Sequence, residues 1–421
     1  MNTFRKLEGI DLLDRTTPFY QWHTTLREKG NWVYLKSSVT APTPICVVRD
    51  ERDEVRSGFN VASQDYLSLS SHPLVKAAAH SAIDKYGVHS AGSPAGFGHT
   101  EESRVLEQEL ASFLDAKHVM LFPTGWAAGY GVITGLVRQQ DFIIMDRLAH
   151  NCLQEGARAA TKNVTFFPHL DNAAAASELR RLRTQHPNAS VLVVTESLFS
   201  MDSDTPDLRE LQAICHELQA ALLVDVAHDL GCMGENGRGA LEEQGMLGKI
   251  DLVMGSFSKT FASNGGFLCT NSASVKQYLK IFSSPHIFSN AMSPVQVAVV
   301  RKALEVIRSD EGRRLRRQLW TNIEVLRSSL KDNNLSPLGA RSPIVPVVVG
   351  PESIARTMHR MLLEHGLIVN VIEFPATPIG AARLRMQLSA AHDPERLRTF
   401  ASQVARILAC AQATATEKAR L

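Results

Sequence analysis

Lys259, in the run Gly255-Ser256-Phe257-Ser258-Lys259-Thr260, stands 34 residues after Asp225-Val226-Ala227-His228. A lysine close behind a hydroxyl-bearing turn can form an imine with an aldehyde cofactor. A carboxylate at the end of a buried apolar strand, as Asp225 is after Leu222-Leu223-Val224, can hold a pyridine nitrogen protonated. Those are the two chemical needs of pyridoxal 5'-phosphate (PLP), which uses a lysine Schiff base and an acidic partner for its ring nitrogen.

Such residues must be brought together by the elements that carry them. From about residue 118 short apolar runs alternate with helical patterns: Val119 to Phe122, Phe142 to Met145, Val164 to Phe167, Val191 to Thr195, Ala221 to Val224, Leu252 to Ser256 and Phe267 to Thr270. Continuous apolar strands separated by helices predict an α/β fold with a mainly parallel sheet covered on both faces. The link from Phe257 to Gly266 is too short for a helical crossover, so the last two strands are expected to be antiparallel. Ligands of open α/β sheets bind beyond the carboxyl ends of the strands. Thr124-Gly125-Trp126 follows the first run, His150 the second, Ser200 the fourth, Asp225 and His228 the fifth, and Lys259 the sixth. Strand direction alone therefore gathers them on one rim.

Each of these residues also has a plainer reading. Thr124-Gly125 could be only a helix cap, although amides at a helix start suit a dianionic phosphate. A buried Asp225 is costly unless it is paired, which favours a functional role. His150 and His228 could be a cap neighbour and a satisfied loop histidine, and Glu196 and Ser200 ordinary loop polar groups. Lysines in loops are common.

The rest of the chain predicts three parts: an N-terminal arm at 1–57, a large domain at 58–293, and a linker helix with a small α/β domain at 294–421. The arm has weak periodicity and reads as a helix and a short strand. A long helical stretch from Pro294 through Leu330 is broken near Ser309 to Gly312. Beyond it lie Val345 to Val349, a helix near Ile354 to Glu364, Leu367 to Ile372, Arg383 to Leu388, and a closing helix near Pro394 to Ala411 with a fraying tail.

The 421 residues are 44% hydrophobic and 21% charged, an ordinary soluble balance, and long enough for more than one core. A net charge of +2 argues against electrostatic capture of nucleic acid or an acidic membrane. The arginine clusters at Arg180 to Arg183 and Arg313 to Arg317 read as solvated helix faces. Six scattered cysteines offer neither a disulfide framework nor a metal site and suit a reducing compartment. No stretch approaches the roughly 18 apolar residues of a membrane span, and no signal peptide is read. A cytoplasmic enzyme is expected.

From Phe59 to His392 the sequence resembles the α-oxoamine synthases, acyltransferases of PLP fold type I. The resemblance rests on eight segments in order: Ser63-Gln-Asp-Tyr-Leu-Ser-Leu-Ser-Ser-His-Pro73, Phe122-Pro-Thr-Gly-Trp-Ala-Ala128, Asp146-Arg-Leu-Ala-His150, Thr195-Glu-Ser-Leu-Phe-Ser-Met-Asp202, Asp225-Val-Ala-His228, Gly234-Glu-Asn-Gly-Arg-Gly239, Ser256-Phe-Ser-Lys259 and Arg383-Leu-Arg-Met-Gln-Leu-Ser-Ala-Ala-His392. Some look most like 8-amino-7-oxononanoate synthase; the arm looks closer to serine-palmitoyltransferase-like members.

The resemblance implies a large domain with a mainly parallel seven-stranded sheet and a smaller C-terminal α/β domain. By the same resemblance Lys259 carries the imine and moves the α-proton, Asp225 binds the pyridine nitrogen, and His228, with Ser200 nearby, bonds the phenolic oxygen. His150 stacks on the ring and helps orient the acyl carbonyl, while Gly125, Trp126 and Ser256 hold the phosphate. Ser289 and Asn290 reach the neighbouring subunit's phosphate, implying a homodimer with shared sites, and Arg385 grips the amino-acid carboxylate. The implied reaction joins a small amino acid to an acyl-CoA or acyl-carrier thioester, normally with loss of carbon dioxide, giving an α-amino ketone.

Departures from the family pattern bear on substrate. Gln64 replaces the usual asparagine and is one methylene longer, which reshapes the carboxylate and thioester side of the pocket. Ser68 replaces a glycine, Val226 an acid, and His89 to Thr100 departs from a glycine-rich pattern near the acyl donor. A PLP aminotransferase and a non-catalytic partner subunit stay open as alternatives; Lys259 argues against the second.

Overall fold

The computed structural model describes residues 2–34 and 36–420. The chain forms two compact units. The first takes the chain to Tyr66, Met201–Ser203 and the chain from Arg317 onward; the second holds Leu67–Ser200 and Asp204–Arg316. The expected boundaries at 57/58 and 293/294 do not coincide with these units, for two reasons. The strand that ends the arm continues to Asn60 and pairs within the first unit. The helix Pro294–Arg308 packs on the helices Pro73–Tyr86 and Glu101–Phe113 of the second.

In the first unit a helix at Thr17–Glu28 precedes three strands, β1 (Ser37–Ser38), β2 (Ile45–Arg49) and β3 (Val55–Asn60), rather than the single short strand expected. β2 and β3 form a hairpin whose turn is built by Asp50. Its Oδ1 accepts the amides of Arg52 (2.8 Å) and Glu54 (3.0 Å), the side-chain turn that aspartate favours. These strands are short and only half-buried, which leaves little alternation to read.

The second unit contains the sheet that the apolar runs predict. Its strands are β4 (His118–Phe122), β5 (Phe142–Asp146), β6 (Val164–Phe167), β7 (Val191–Glu196), β8 (Ala221–Asp225), β9 (Leu252–Ser256) and β10 (Gly266–Thr270). They lie in the order β4-β10-β9-β8-β7-β5-β6. β10 runs antiparallel to both neighbours, as the short link demands, and the other neighbouring pairs are parallel. Every residue of β7 is buried, the mark of a strand covered on both faces. Helices such as Gly125–Leu136 and Asn151–Ala160 supply the cover, with Met145, Val194 and Met254 packed in one core with Ala128, Val132 and Leu153.

The C-terminal part of the first unit carries β11 (Ile344–Gly350), β12 (Leu367–Ile368), β13 (Asn370–Ile372) and β14 (Ala382–Gln387). β11, β14 and β13 make an antiparallel sheet, whereas β12 lies parallel to β3. The apolar run Leu367 to Ile372 thus serves two sheets, with buried Val369 between them. The short segment Met201–Ser203 belongs here through bonds of its own: Arg383 Nη1 donates to Met201 O (2.9 Å), and Ser203 Oγ to Ile344 O (2.8 Å). The closing helix runs Pro394–Arg420, beyond the Ala411 limit where fraying was expected.

Candidate active site

The rim at the carboxyl ends of β4, β9, β8, β7 and β5 is built around a reversed strand. Because β10 is antiparallel, its first residue, Gly266, pairs with the last residues of both neighbours, Phe122 of β4 and Ser256 of β9. A Cβ on Gly266 would stand 2.6 Å from Thr124 O, and one on Gly125 only 2.3 Å from Ser256 Cβ. Glycine at both positions lets the start of the helix Gly125–Leu136 press against the end of β9. Thr124 caps that helix, its Oγ1 accepting the Ala127 amide (3.0 Å). The Gly125 and Trp126 amides lie earlier in the same turn, where a helix offers no internal acceptor. Ser256 Oγ sits beside them, 2.8 Å from Ser258 Oγ. Amides, a hydroxyl and a helix N-terminus facing one small gap fit a phosphate dianion. The Trp126 ring, half-exposed, stacks on Tyr130 at 5.1 Å.

Two carboxylates close the next stretch of the rim. Glu196 and Asp225 are partners in the β7–β8 register and both are buried. Asp225 Oδ1 accepts the Ala227 amide at 2.9 Å. Burial pushes the Asp225 carboxyl upward, opposed by the charges of His150 and Lys259 and by that amide. Glu196 is pushed up further by burial and by the charge of Asp225, against a hydrogen bond from the His150 backbone amide and the charge of Lys259. Adjacent buried acids of this kind are relieved by a cation. The charge of the half-buried Lys259 opposes both shifts, and a protonated pyridine would add another, so the donor set fits PLP.

His150 caps the helix Asn151–Ala160: its Nδ1 accepts the Cys152 amide (3.3 Å) and lies 3.0 Å from Cys152 Sγ. An accepting Nδ1 leaves the ring proton on Nε2. The plainer cap readings of Thr124 and His150 are thus realised. Glu196, which reads in the sequence as an ordinary loop polar group, instead ends β7 beside Asp225. It was legible only as an acid in the last place of a wholly buried strand. His228 is buried in the turn after β8. Beside it Asp229, pushed by burial up to about 7, accepts bonds from Ser197 Oγ (2.6 Å) and the Ala240 amide (2.6 Å). Ser200 is half-buried just past β7.

Ser289 Oγ donates to Pro285 O, and Asn290 Nδ2 lies 3.4 Å from His89 Nε2. Ala291 N bonds Gly92 O (2.9 Å), which joins this segment to the His89–Thr100 loop, where Phe97 is 91% exposed and neighbouring Phe288 is 83% exposed. Arg385 and Gln64 belong to the first compact unit. Arg385 is buried on β14 between Pro346 and Asn370, and Gln64 is half-buried in the loop after β3.

A reversed strand beside a parallel sheet, a capped helix against a serine, and a buried acid with a lysine define the class: a fold type I, PLP-dependent transferase. The chain belongs to the aminotransferase class I and II family, which it matches over residues 56–404. Its relatives bear out the resemblance to the α-oxoamine synthases. It is 35% identical to 8-amino-7-oxononanoate synthase of Geobacter sulfurreducens over 383 residues, covering 91% of this chain and 95% of the relative. Among solved structures, serine palmitoyltransferase from Sphingomonas wittichii is 28% identical with a TM-score of 0.88, over 96% of this chain and 99% of that one. Serine palmitoyltransferase from S. paucimobilis, with bound PLP and myriocin, gives the same identity and TM-score over 96% and 100%.

Proposed function

We propose that this protein is a PLP-dependent C-acyltransferase. It joins the α-carbon of a small amino acid to the acyl carbon of a CoA or carrier thioester, with release of the thiol and carbon dioxide to give an α-amino ketone. The observation that carries this reading is the placement of Lys259, Asp225 and the Gly125–Ser256 cradle on one sheet rim, together with the α-oxoamine synthase relatives.

Bound there, PLP supplies an imine-forming aldehyde and a protonated ring that draws electron density from the amino acid's α-carbon. Lys259 Nζ would be the amine for that aldehyde and the base for the α-proton. Asp225 would hold the proton on the ring nitrogen, and its burial would strengthen that bond. His150 would bear on the cofactor ring, with its Nε2–H available to the acyl carbonyl oxygen. His228 and Ser200 bond the phenolic oxygen. The amides of Gly125 and Trp126, with Ser256 Oγ, hold the phosphate. Arg385 would grip the substrate carboxylate with its planar fork, and Gln64 would bear on the choice of amino acid. Ser289 and Asn290 complete the neighbouring subunit's phosphate site in a homodimer. We place the enzyme in the cytoplasm.

Purified protein is expected to be yellow and to release free thiol when given an acyl-CoA and one amino acid out of a panel of twenty. Keto-acid exchange without thiol release would instead make it an aminotransferase.

A further inference from the structure

His169 has no part in the site described above, yet it bridges two carboxylates behind it. Nδ1 lies 2.9 Å from Asp146 Oδ1, and Nε2 lies 3.1 Å from Asp204 Oδ2. Ionised carboxylates only accept, so both contacts need an N–H, and a neutral imidazole has one. The ring therefore acts as a two-armed donor.

Each arm ends on a segment that delivers a site residue. Asp146, fully buried at the end of β5, also takes the amides of Leu148 (2.8 Å) and Leu170 (2.9 Å), and its carbonyl takes that of Ala149 (3.0 Å). It thereby shapes the turn that leads into His150. The carbonyl of Asp204 accepts the Phe199 amide (2.9 Å), one residue before Ser200, and the Phe199 ring meets His169 edge-on at 4.5 Å. We infer that His169 is a positioning residue: by bonding Asp146 and Asp204 at once, it holds the segments of His150 and Ser200 in fixed relation. This rests on the reading of His150 and Ser200 as cofactor contacts. Burial opposes a charge on the His169 ring, but the bonds and charges of Asp146 and Asp204 outweigh it and push the imidazole up to about 10. Asp146 in turn interacts with Glu196 on β7, whose carboxyl its charge helps to push up.

The test compares the full-length, PLP-loaded wild type with His169→Ala and His169→Gln. Amide hydrogen exchange of the Ala variant is expected to rise together in residues 147–152 and 199–204, with the helix Gly125–Leu136 unchanged. Its kcat is expected to fall about 100-fold, the cost of a misplacement near 1 Å, with the KM for the thioester held and the cofactor's visible circular dichroism weakened. The Gln variant, which keeps one donor arm, is expected to recover part of each loss. Should His169→Ala fail to fold, Asp204→Asn at the more exposed arm carries the comparison, with the same paired rise in exchange. Exchange that rises in neither segment or in one alone, or His169→Gln no better than His169→Ala, overturns the inference. Because exchange is read without turnover, a wild type that releases no thiol refutes the proposed reaction and leaves this outcome separately readable.

Discussion

At the scale of single residues, the proposed roles set Lys259 and Asp225 to work on opposite ends of one ring. The lysine needs a free electron pair, while the aspartate must stay negative in a place where burial disfavours it. Replacing Lys259 by alanine is expected to lower kcat by roughly 10²- to 10⁴-fold, the usual worth of a positioned proton-transfer group, read as thiol release under saturating substrates. Asp225→Asn keeps the shape but removes the charge. We expect kcat to fall by a similar factor while the KM for the thioester changes little, because the acyl donor does not meet that carboxylate. A raised KM with intact kcat would move Asp225 out of the proposed role.

At the scale of elements, the reversed β10 explains why two glycines and a serine converge. Gly125→Ala places a methyl 2.3 Å from Ser256 Cβ and 2.5 Å from Ser256 Oγ. Overpacking of that kind costs about 1–3 kcal/mol, so PLP affinity is expected to drop roughly 5- to 150-fold in an equilibrium titration of the visible band. His169 ties the ends of β5 and β7 and gives a signed pH effect. Its proton is released near 6.5 in the unfolded chain and near 10 in the folded one. The folded state therefore holds an extra proton in between. The stabilisation is whole below about 6.5 and is lost as pH rises through about 10. Denaturant melts from pH 6 to 10 should show His169→Gln losing stability less steeply than wild type; parallel slopes would deny the ring its charge.

The elements also mark what could be read in the chain. Most of β4 to β10 were legible because strands buried on both faces leave apolar runs, with the edge strand β6 less buried than the rest, and the short Phe257–Gly266 link announced the reversal. The arm's β1 to β3 were not, since half-buried strands of two to six residues carry little pattern. The run Leu367 to Ile372 looked like one strand because composition does not show which sheet a residue joins. Lys259, Asp225 and Gly125 fell at strand or helix ends that the pattern located. Glu196 and His169 did not stand out, because their partners are distant in sequence: Asp225 meets Glu196 through the β7–β8 register, and His169 meets Asp146 at the end of β5 and Asp204 in the loop after β7.

At the scale of the whole molecule, the proposed homodimer joins structure to chemistry. Phe97 and Phe288 are almost fully exposed beside Ser289 and Asn290, the residues assigned to the partner's phosphate. Phe288→Asp is expected to give a monomer in sedimentation and to weaken PLP binding at least about tenfold, as the loss of one charge-assisted hydrogen bond of ~1.5–3 kcal/mol requires. A dimer with unchanged affinity would place the interface elsewhere. In the proposed reading Gln64 and the His89–Thr100 segment bear on which amino acid and which acyl chain are joined, so exchanging Gln64 for asparagine is expected to shift amino-acid preference without abolishing thiol release.

The most direct measurement is borohydride reduction of the yellow protein followed by peptide mass spectrometry. The cofactor's mass is expected on the peptide containing Lys259 and absent from the Lys259→Ala variant treated in the same way. Label on another lysine in the wild type, or a protein that takes up no cofactor at all, would contradict the assignment from which the proposed chemistry follows.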